Sequence, residues 1–211
     1  MAKITAITSQ EKDKNRCNIF VDGDFLFSVH IDTVMDYRLK VGDEILEDKL
    51  REIKLEGDKS FALKKAMKYV SSSLKTKKQV ITYLRGKEFT DNAVFYAVDK
   101  LKEYGFIDDE EFARRYIESA SATKGKKLIA YKLMEKGISK DVIDNVLSEV
   151  NPETKQSALN LAKKRLKGKE INSDLIRKTY AYLMSKGFSY EDADYAIGKI
   201  KGGVDEQGFN S

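Results

Sequence analysis

Residues that usually carry metal or nucleophilic chemistry are scarce in this sequence. It contains one histidine, His30, and one cysteine, Cys17, on neighbouring segments with the composition of strands. Metal sites and nucleophile–base pairs draw on several such side chains, so we interpret both as packing residues. The chain has no Walker loop, no G-x-G-x-x-G and no G-x-S-x-G motif. We therefore predict that the protein is not an enzyme and needs neither a cofactor nor a metal.

A run of four carboxylates, Asp-Asp-Glu-Glu at 108–111, invites comparison with a cation site. The run lacks the alternating spacing of carboxylates in an EF-hand loop. It stands directly before an amphipathic segment, where acidic residues complement the positive end of the helix dipole. The pattern therefore predicts the start of a helix.

The chemistry that the sequence does favour is the binding of anions by basic side chains. Residues 59–87 contain nine basic residues and no acid, and residues 155–169 contain six and no acid. Between them, residues 114–132 contain six basic residues and one acid, Glu118. A single charged run is usually a solvated face. Because like charges at i, i+4 on a helix repel, three such runs favour a polyanionic partner, either nucleic acid or an acidic protein groove.

Candidate contact residues for nucleic acid or a nucleoprotein filament lie in these three runs. They are Lys75, Lys77, Lys78, Arg114, Arg115, Lys124, Lys126, Lys127, Lys163, Lys164 and Arg165. Phosphate contacts need reach and charge more than exact spacing. Eleven tyrosines could stack on bases, but Tyr69, Tyr83 and Tyr116 follow helical spacing among apolar residues, which predicts packing.

The first 57 residues differ from the rest in pattern and in charge. Residues 1–58 carry a net charge of −4 and residues 59–211 one of +9. The predicted elements are strands at 3–7, 16–21 and 25–29, a hairpin turn at 22–24, a short extended piece at 41–45 and a helix near 48–54. This pattern predicts a small module of β-hairpin and α-helix over 1–57.

After Gly57 the apolar residues recur with a helical period, and the chain repeats itself. Leu84, Leu133 and Leu183 mark the register, at intervals of 49 and 50 residues. Six residues after each leucine stands a residue suited to cap a helix: Thr90, Ser139 and Ser189. The residue before each cap is apolar and matches an apolar residue at the fourth helical position, the pattern of a hydrophobic staple. The repeats therefore predict the same helix start three times.

Each unit is predicted to contain three short helices. The predicted helices lie near 59–73, 75–86, 90–103, 109–122, 125–136, 139–150, 154–168, 172–186 and 189–201. Pro152 is assigned to the first turn of the helix at 154–168, with Asn151 as its N-cap. The fold class is mainly α: three tandem three-helix repeats, helix-turn-helix-like, over 58–107, 108–151 and 152–201, with a disordered tail at 202–211. In this register one edge of the array would be positive throughout.

The block G-F-I-D-D-E-E-F-A-R-R-Y-I-E-S at 105–119, followed by Gly125 and by L-M-E-K-G-I at 133–138, resembles the signature of the RecX regulators of the bacterial recombinase RecA. The resemblance covers roughly 60–200, and the module at 1–57 is similar to the N-terminal extension of Gram-positive members. Ala120 stands where the family usually has a basic residue.

The resemblance implies a protein of three tandem three-helix repeats that lies along the groove of a RecA–DNA filament and restrains or disassembles it. We expect a monomer. It implies RecA and single- and double-stranded DNA as partners, in DNA repair, recombination and the SOS response. Acidic residues at the starts of the third helices argue against reading of base edges, so DNA binding should be largely independent of sequence.

Two other functions fit the same residues: a helical-repeat scaffold that binds an acidic protein, and a nonspecific DNA-binding protein. No apolar run approaches the roughly 20 residues that span a membrane, and the first residues lack the apolar region of a secretory signal. A single cysteine forms no internal disulfide. We expect a cytoplasmic protein without membrane contact.

Overall fold

The N-terminal part of the chain is a four-stranded antiparallel sheet. The computed structural model describes residues 1–11 and 13–208. Its strands are β1 (Ala2–Ser9), β2 (Arg16–Val21), β3 (Asp24–His30) and β4 (Glu44–Ile45). They lie in the order β3-β2-β1-β4. At the predicted hairpin turn, Asp22 and Gly23 have φ of 50° and 97°, as tight two-residue hairpins require.

The rest of the described chain is helical. The helices are α1 (Ile31–Asp36), α2 (Glu47–Val70), α3 (Lys77–Arg85), α4 (Asp91–Glu103), α5 (Asp109–Ala120), α6 (Lys126–Glu135), α7 (Lys140–Val150), α8 (Thr154–Leu166), α9 (Ser173–Ser185) and α10 (Tyr190–Gly208). From α2 onward they form three three-helix repeats, each around its own buried apolar cluster. The predicted fold class is confirmed. The chain divides into two compact units, Met1–Ile107 and Asp108–Ser211.

The third helix of each repeat begins as predicted. The hydroxyls of Thr90, Ser139 and Ser189 each accept a hydrogen bond from the backbone N–H three residues later. The apolar residues of the three predicted staples pack together in the core of their repeat. The turn before each cap needs a left-handed residue, and Glu88, Gly137 and Gly187 supply it with φ of 62°, 87° and 83°.

Helix α2 runs without a break through residue 57, where the sequence predicted a boundary. Two helices were expected there, near 48–54 and 59–73, but α2 is one helix of 24 residues. Gly57 lies inside α2. A Cβ at this position would overlap the side chain of Thr33, so glycine allows α1 and α2 to approach each other closely. Since Leu50 is buried in the sheet core and Ala66 in that of the first repeat, the module and the repeat share this helix.

The connection between α7 and α8 also differs from the prediction. Asn151 is the C-cap of α7, with φ 38° and ψ 63°, and α8 begins only at Thr154 after Glu153. Asparagine tolerates the left-handed conformation that ends a helix, so it closes the preceding helix and does not cap the next. Of the tail predicted over 202–211, the part to Gly208 continues α10, and 209–211 lie outside the described residues.

The acidic run at 108–111 begins a helix, as predicted. The Asp108 carboxylate accepts hydrogen bonds of 2.9 Å from the backbone N–H groups of Glu110 and Glu111. The described residues contain no group of three or more side chains that could hold a metal ion. Nor does any helix in the described ranges have the length and apolar composition to cross a membrane.

His30 and Cys17 are buried, and His30 has a structural role. Its ring stacks on Phe61 with centroids 3.8 Å apart, and its Nδ1 accepts a hydrogen bond of 3.2 Å from the Asp32 N–H at the start of α1. Burial lowers the pKa of this imidazole below its ordinary 6.5, against the opposing effect of the Asp32 carboxylate. The fold therefore favours the neutral ring.

This burial predicts acid sensitivity of the first compact unit. Because the unfolded chain takes up the proton at a higher pH than the folded one, the stabilisation is complete above pH 6.5 and is lost as the pH falls below it. The urea midpoint, followed by circular dichroism, should drop between about pH 7.5 and pH 5.5. His30→Asn keeps an N-cap acceptor without a titrating ring and should show a smaller drop. Equal drops in both proteins would contradict the role of His30.

Candidate nucleic-acid interface

The lysines of the first repeat surround the start of α3. Thr76 caps this helix, and its side chain and that of Gln79 form a reciprocal capping box. The Lys75 ammonium lies 4.9 Å from the ring centroid of Tyr69. Lys77 and Lys78 occupy the first turn of α3, where a positive charge opposes the helix dipole. An anion at this end would be attracted both by the lysines and by the dipole.

The tyrosines predicted to pack do so. Tyr69 and Tyr83 stack with their ring centroids 4.1 Å apart and both pack against the core of the first repeat. Tyr116 packs against the core of the second repeat. All three rings are half-buried, so part of the surface that a base would need is already packed against the protein.

The two arginines of α5 are paired with acids. Arg114 Nη2 lies 2.6 Å from Glu149 Oε2, and Arg115 Nε donates to Glu111 Oε1 at 2.6 Å. Residues 114–132 contain only one acid, Glu118, but the helix period places Glu111 of the preceding acidic run beside Arg115, and the fold brings Glu149 to Arg114. Their charge is therefore partly compensated, and they are weaker candidates for phosphate contacts than their position in the sequence suggests.

The two lysines at the start of α6 contact uncharged groups. Lys126 Nζ donates to Asn151 Oδ1 at 3.3 Å, and the Lys127 ammonium lies 5.9 Å from the ring centroid of Tyr190. Lys124, two residues earlier, lines a cleft with residues of the third repeat.

That cleft brings together five basic side chains of the second compact unit. It has a volume of about 560 Å³ and is lined by Thr123, Lys124, Leu161, Lys164, Arg165, Lys169, Tyr182 and Lys186. No carboxylate is among these residues. Within the described part of the chain, its five basic side chains form no ion pair with an acid. We call these five residues, Lys124, Lys164, Arg165, Lys169 and Lys186, the basic cleft.

The cleft contains three predicted residues and two that the sequence did not single out. Lys164 and Arg165 lie in the last turn of α8, where basic residues complement the dipole; Lys163 is exposed beside them. Lys169 and Lys186 were missed. Lys186 stands three residues after Leu183, as Lys87 and Lys136 stand after their leucines, so the repeat register carried a signal for it.

A close contact between backbones sets the cleft in place. The Gly125 N–H donates to the Lys186 carbonyl at 2.9 Å, and the Lys127 N–H donates to the Gly187 carbonyl at 3.2 Å. A Cβ on Gly125 would overlap the carbonyl of Gly187, so only glycine fits here. We call this contact the glycine junction. It brings Lys124 of the second repeat beside Lys186 of the third.

The eleven predicted residues are divided between the two compact units. Lys75, Lys77 and Lys78 belong to Met1–Ile107, and the other eight belong to Asp108–Ser211. Among those eight, the fold brings Lys124, Lys164 and Arg165 together in the cleft and directs Arg114 and Arg115 to acids. A positive edge that continues through all three repeats stays a prediction.

Comparison with known protein families matches four segments of the chain. The RecX N-terminal domain matches residues 2–46, and the first, second and third three-helix domains of RecX match 62–101, 108–147 and 153–197. The regulatory protein RecX of Clostridium botulinum (strain Eklund 17B) is 36% identical over 196 residues, which are 90% of this chain and 92% of that protein. That of Clostridium beijerinckii is 34% identical over 205 residues, which are 95% and 96% of the two chains.

Solved structures of similar proteins have the same fold. A crystal structure of regulatory protein RecX aligns with a TM-score of 0.67 and 27% identity, covering 93% of this chain and 98% of that one. A crystal structure of RecX from Lactobacillus salivarius aligns with a TM-score of 0.62 and 26% identity, covering 68% of this chain and 97% of that one.

Proposed function

Because the chain belongs to the family of RecX regulatory proteins, we propose that it regulates the recombinase RecA by binding the RecA filament together with its DNA. It inhibits the recombinase and ATPase activities in DNA repair and recombination, acting as a monomer in the cytoplasm. It is a binding protein and not an enzyme. The observation that carries the DNA part of this proposal is the basic cleft, whose five cations have no acidic partner among the described residues.

Binding by itself is a sufficient mechanism for such regulation. A protein shifts an equilibrium toward the state that it binds more tightly, and by no more than the difference in affinity. Growth and shortening of a filament are equilibria of this kind. A chain that contacts the DNA backbone and neighbouring protein subunits either competes with the recombinase for DNA or holds the filament in a state that exchanges slowly.

The contacts with DNA should be largely independent of its sequence. In the first turn of α4, α7 and α10, where a helix-turn-helix protein would place base-reading side chains, stand Asp91, Asp141 and Glu191. Asp91 pairs with Arg85, and Glu191 pairs with Lys155. These carboxylates complement the helix dipole and repel phosphates, so the helix starts are unsuited to the major groove.

Titration of this protein into RecA on single-stranded DNA should lower the steady-state ATPase rate of RecA. The reason is that either mode of binding reduces the number of recombinase molecules that turn over on DNA. The measurement is ATP hydrolysis at fixed recombinase and DNA against increasing protein, with a parallel titration in which the DNA is omitted. A rate that stays constant up to a several-fold excess over recombinase would overturn the proposal.

The two other functions predict different results in binding experiments. A scaffold for an acidic protein would leave bare DNA unbound. A nonspecific DNA-binding protein would bind bare and recombinase-coated DNA with similar affinity. Its effect on the ATPase rate of the recombinase would disappear when DNA is in excess. Binding that is tighter to coated DNA than to either component alone supports regulation of the filament.

A further inference from the structure

We propose that the basic cleft is a phosphate-binding site that holds the phosphodiester backbone of a nucleic-acid strand and contacts no base. The inference rests on the proposed function, because that function is the reason to name nucleic acid as the source of the phosphate. The site is defined by Lys124, Lys164, Arg165, Lys169 and Lys186 around the ring of Tyr182.

Charge is the first reason. Six other basic side chains of this compact unit lie against acids; for example, Lys132 is 2.7 Å from Glu135, and Arg177 is 2.9 Å from Asp174. In the cleft, five cations converge with no carboxylate in the lining. Their mutual repulsion is relieved when an anion enters, and the most effective anion is one with several negative oxygens.

The environment of Arg165 is the second reason. Its guanidinium carbon lies 4.4 Å from the ring centroid of Tyr182, which fixes the flat group against the ring. The Nε of Arg165 is buried and has no hydrogen-bond partner among the described residues. Buried hydrogen-bond donors are nearly always satisfied. This guanidinium therefore needs an acceptor from outside the protein. A phosphate matches the fork of guanidinium donors and supplies such acceptors.

Tyr182 explains why the ligand is a phosphate and not a base. Its ring has Arg165 at 4.4 Å and the Lys186 ammonium at 5.3 Å from the centroid. A ring that already holds two cations is not a free platform on which a base could stack. The cleft therefore reads the charge of the backbone and tolerates any sequence of bases.

The glycine junction gives the site a second property. Since Lys124 comes from the second repeat and Lys186 from the third, the cleft exists only while the two repeats are docked. A ligand that binds only the docked form stabilises it by mass action. Phosphate binding should therefore protect the Gly125 amide, which donates to the Lys186 carbonyl, from hydrogen exchange.

The experiment compares two variants of the full chain that lose the same charge. Lys164→Gln with Lys186→Gln removes two cations of the cleft. Lys199→Gln with Lys201→Gln removes two exposed lysines of α10 that lie outside it. Binding of a fluorescently labelled oligo-dT strand is measured by anisotropy over a range of salt concentrations. Circular dichroism of both variants checks that they fold.

The cleft variant should bind the strand about tenfold more weakly, and its slope of log K against log salt should be less steep by about 1.4, since each lost contact on a single strand accounts for about 0.7. The control variant should stay within about threefold of the wild type, the effect of diffuse charge alone. Equal weakening in the two variants would overturn the proposal, since the lysines would then act only through net charge.

Inorganic pyrophosphate identifies the source of the phosphate. In the wild type, pyrophosphate should compete with the oligo-dT strand and should protect the Gly125 amide from hydrogen exchange. In the cleft variant it should have neither effect. If pyrophosphate protects Gly125 while the cleft variant binds oligo-dT like the wild type, the site serves free polyphosphate and the nucleic-acid assignment is overturned. If the cleft variant keeps its DNA affinity and loses binding to the recombinase, the cleft meets an acidic protein surface, which also overturns it.

The ATPase assay with the same proteins separates this inference from the proposed function. If the wild type binds oligo-dT through the cleft but leaves the recombinase unaffected, the proposed function fails and the phosphate site stands. If the wild type inhibits the recombinase and the cleft variant binds oligo-dT unchanged, the phosphate site fails alone.

Discussion

Replacing Gly125 with alanine should destabilise the unit Asp108–Ser211 by on the order of 3 kcal/mol, the range of overpacked cores. A Cβ at this position would overlap backbone atoms of Gly187 and Phe188. Backbone cannot rotate away as a side chain does, so relief requires breaking the hydrogen bond from Gly125 to the Lys186 carbonyl. The thermal midpoint of this unit should fall by roughly 10–20 °C, measured by circular dichroism.

Gly198→Ala is the matched control for this substitution. Gly198 lies within α10 in the same unit, and no described heavy atom outside its local backbone stands within 4 Å of its Cβ position. Alanine there should stabilise by about 0.5–1 kcal/mol, because glycine is a poor residue inside a helix. A Gly125→Ala protein that melts with the wild type would show that the two repeats do not need the glycine junction.

Raising the salt concentration from about 50 to 200 mM should weaken binding to bare single-stranded DNA by about two orders of magnitude. Each phosphate contact on a single strand contributes about −0.7 to the slope of log K against log salt, and we take roughly five contacts, as many as the cleft has cations. The measurement is the dissociation constant of an oligonucleotide at several salt concentrations. A slope near zero would contradict phosphate contacts anywhere in the protein.

A triple variant, Lys75→Glu with Lys77→Glu and Lys78→Glu, shows whether the first compact unit contributes to that slope. Surface substitutions usually cost under about 0.5 kcal/mol each, so the variant should fold. If these lysines contact phosphates, both affinity and slope fall. If affinity and slope stay at wild-type values while inhibition of the recombinase is lost, the lysines meet an acidic protein surface. If neither property changes, they form a solvated face.

The sequence by itself determined the repeat architecture and the start of the third helix in each repeat. Thr90, Ser139 and Ser189 cap their helices through backbone groups three residues away. Such interactions are local, so residue type and spacing are enough to predict them. The helical period was likewise enough to predict the burial of the recurring leucines. Leu84, Leu133 and Leu183 are each fully buried within one repeat.

Only the tertiary structure decided which basic residues are free to bind an anion. Arg114 belongs to an almost acid-free stretch of sequence, yet it pairs with Glu149, which lies 35 positions away. Lys186 joins Lys124 across the glycine junction, although 62 positions separate them in the sequence. Glycines have the same appearance in a sequence whether they end a helix or allow a close approach, as Gly57 does for the Thr33 side chain and Gly125 for the Gly187 backbone. Close approach depends on residues that are distant along the chain, and helical period and capping preferences describe only near neighbours.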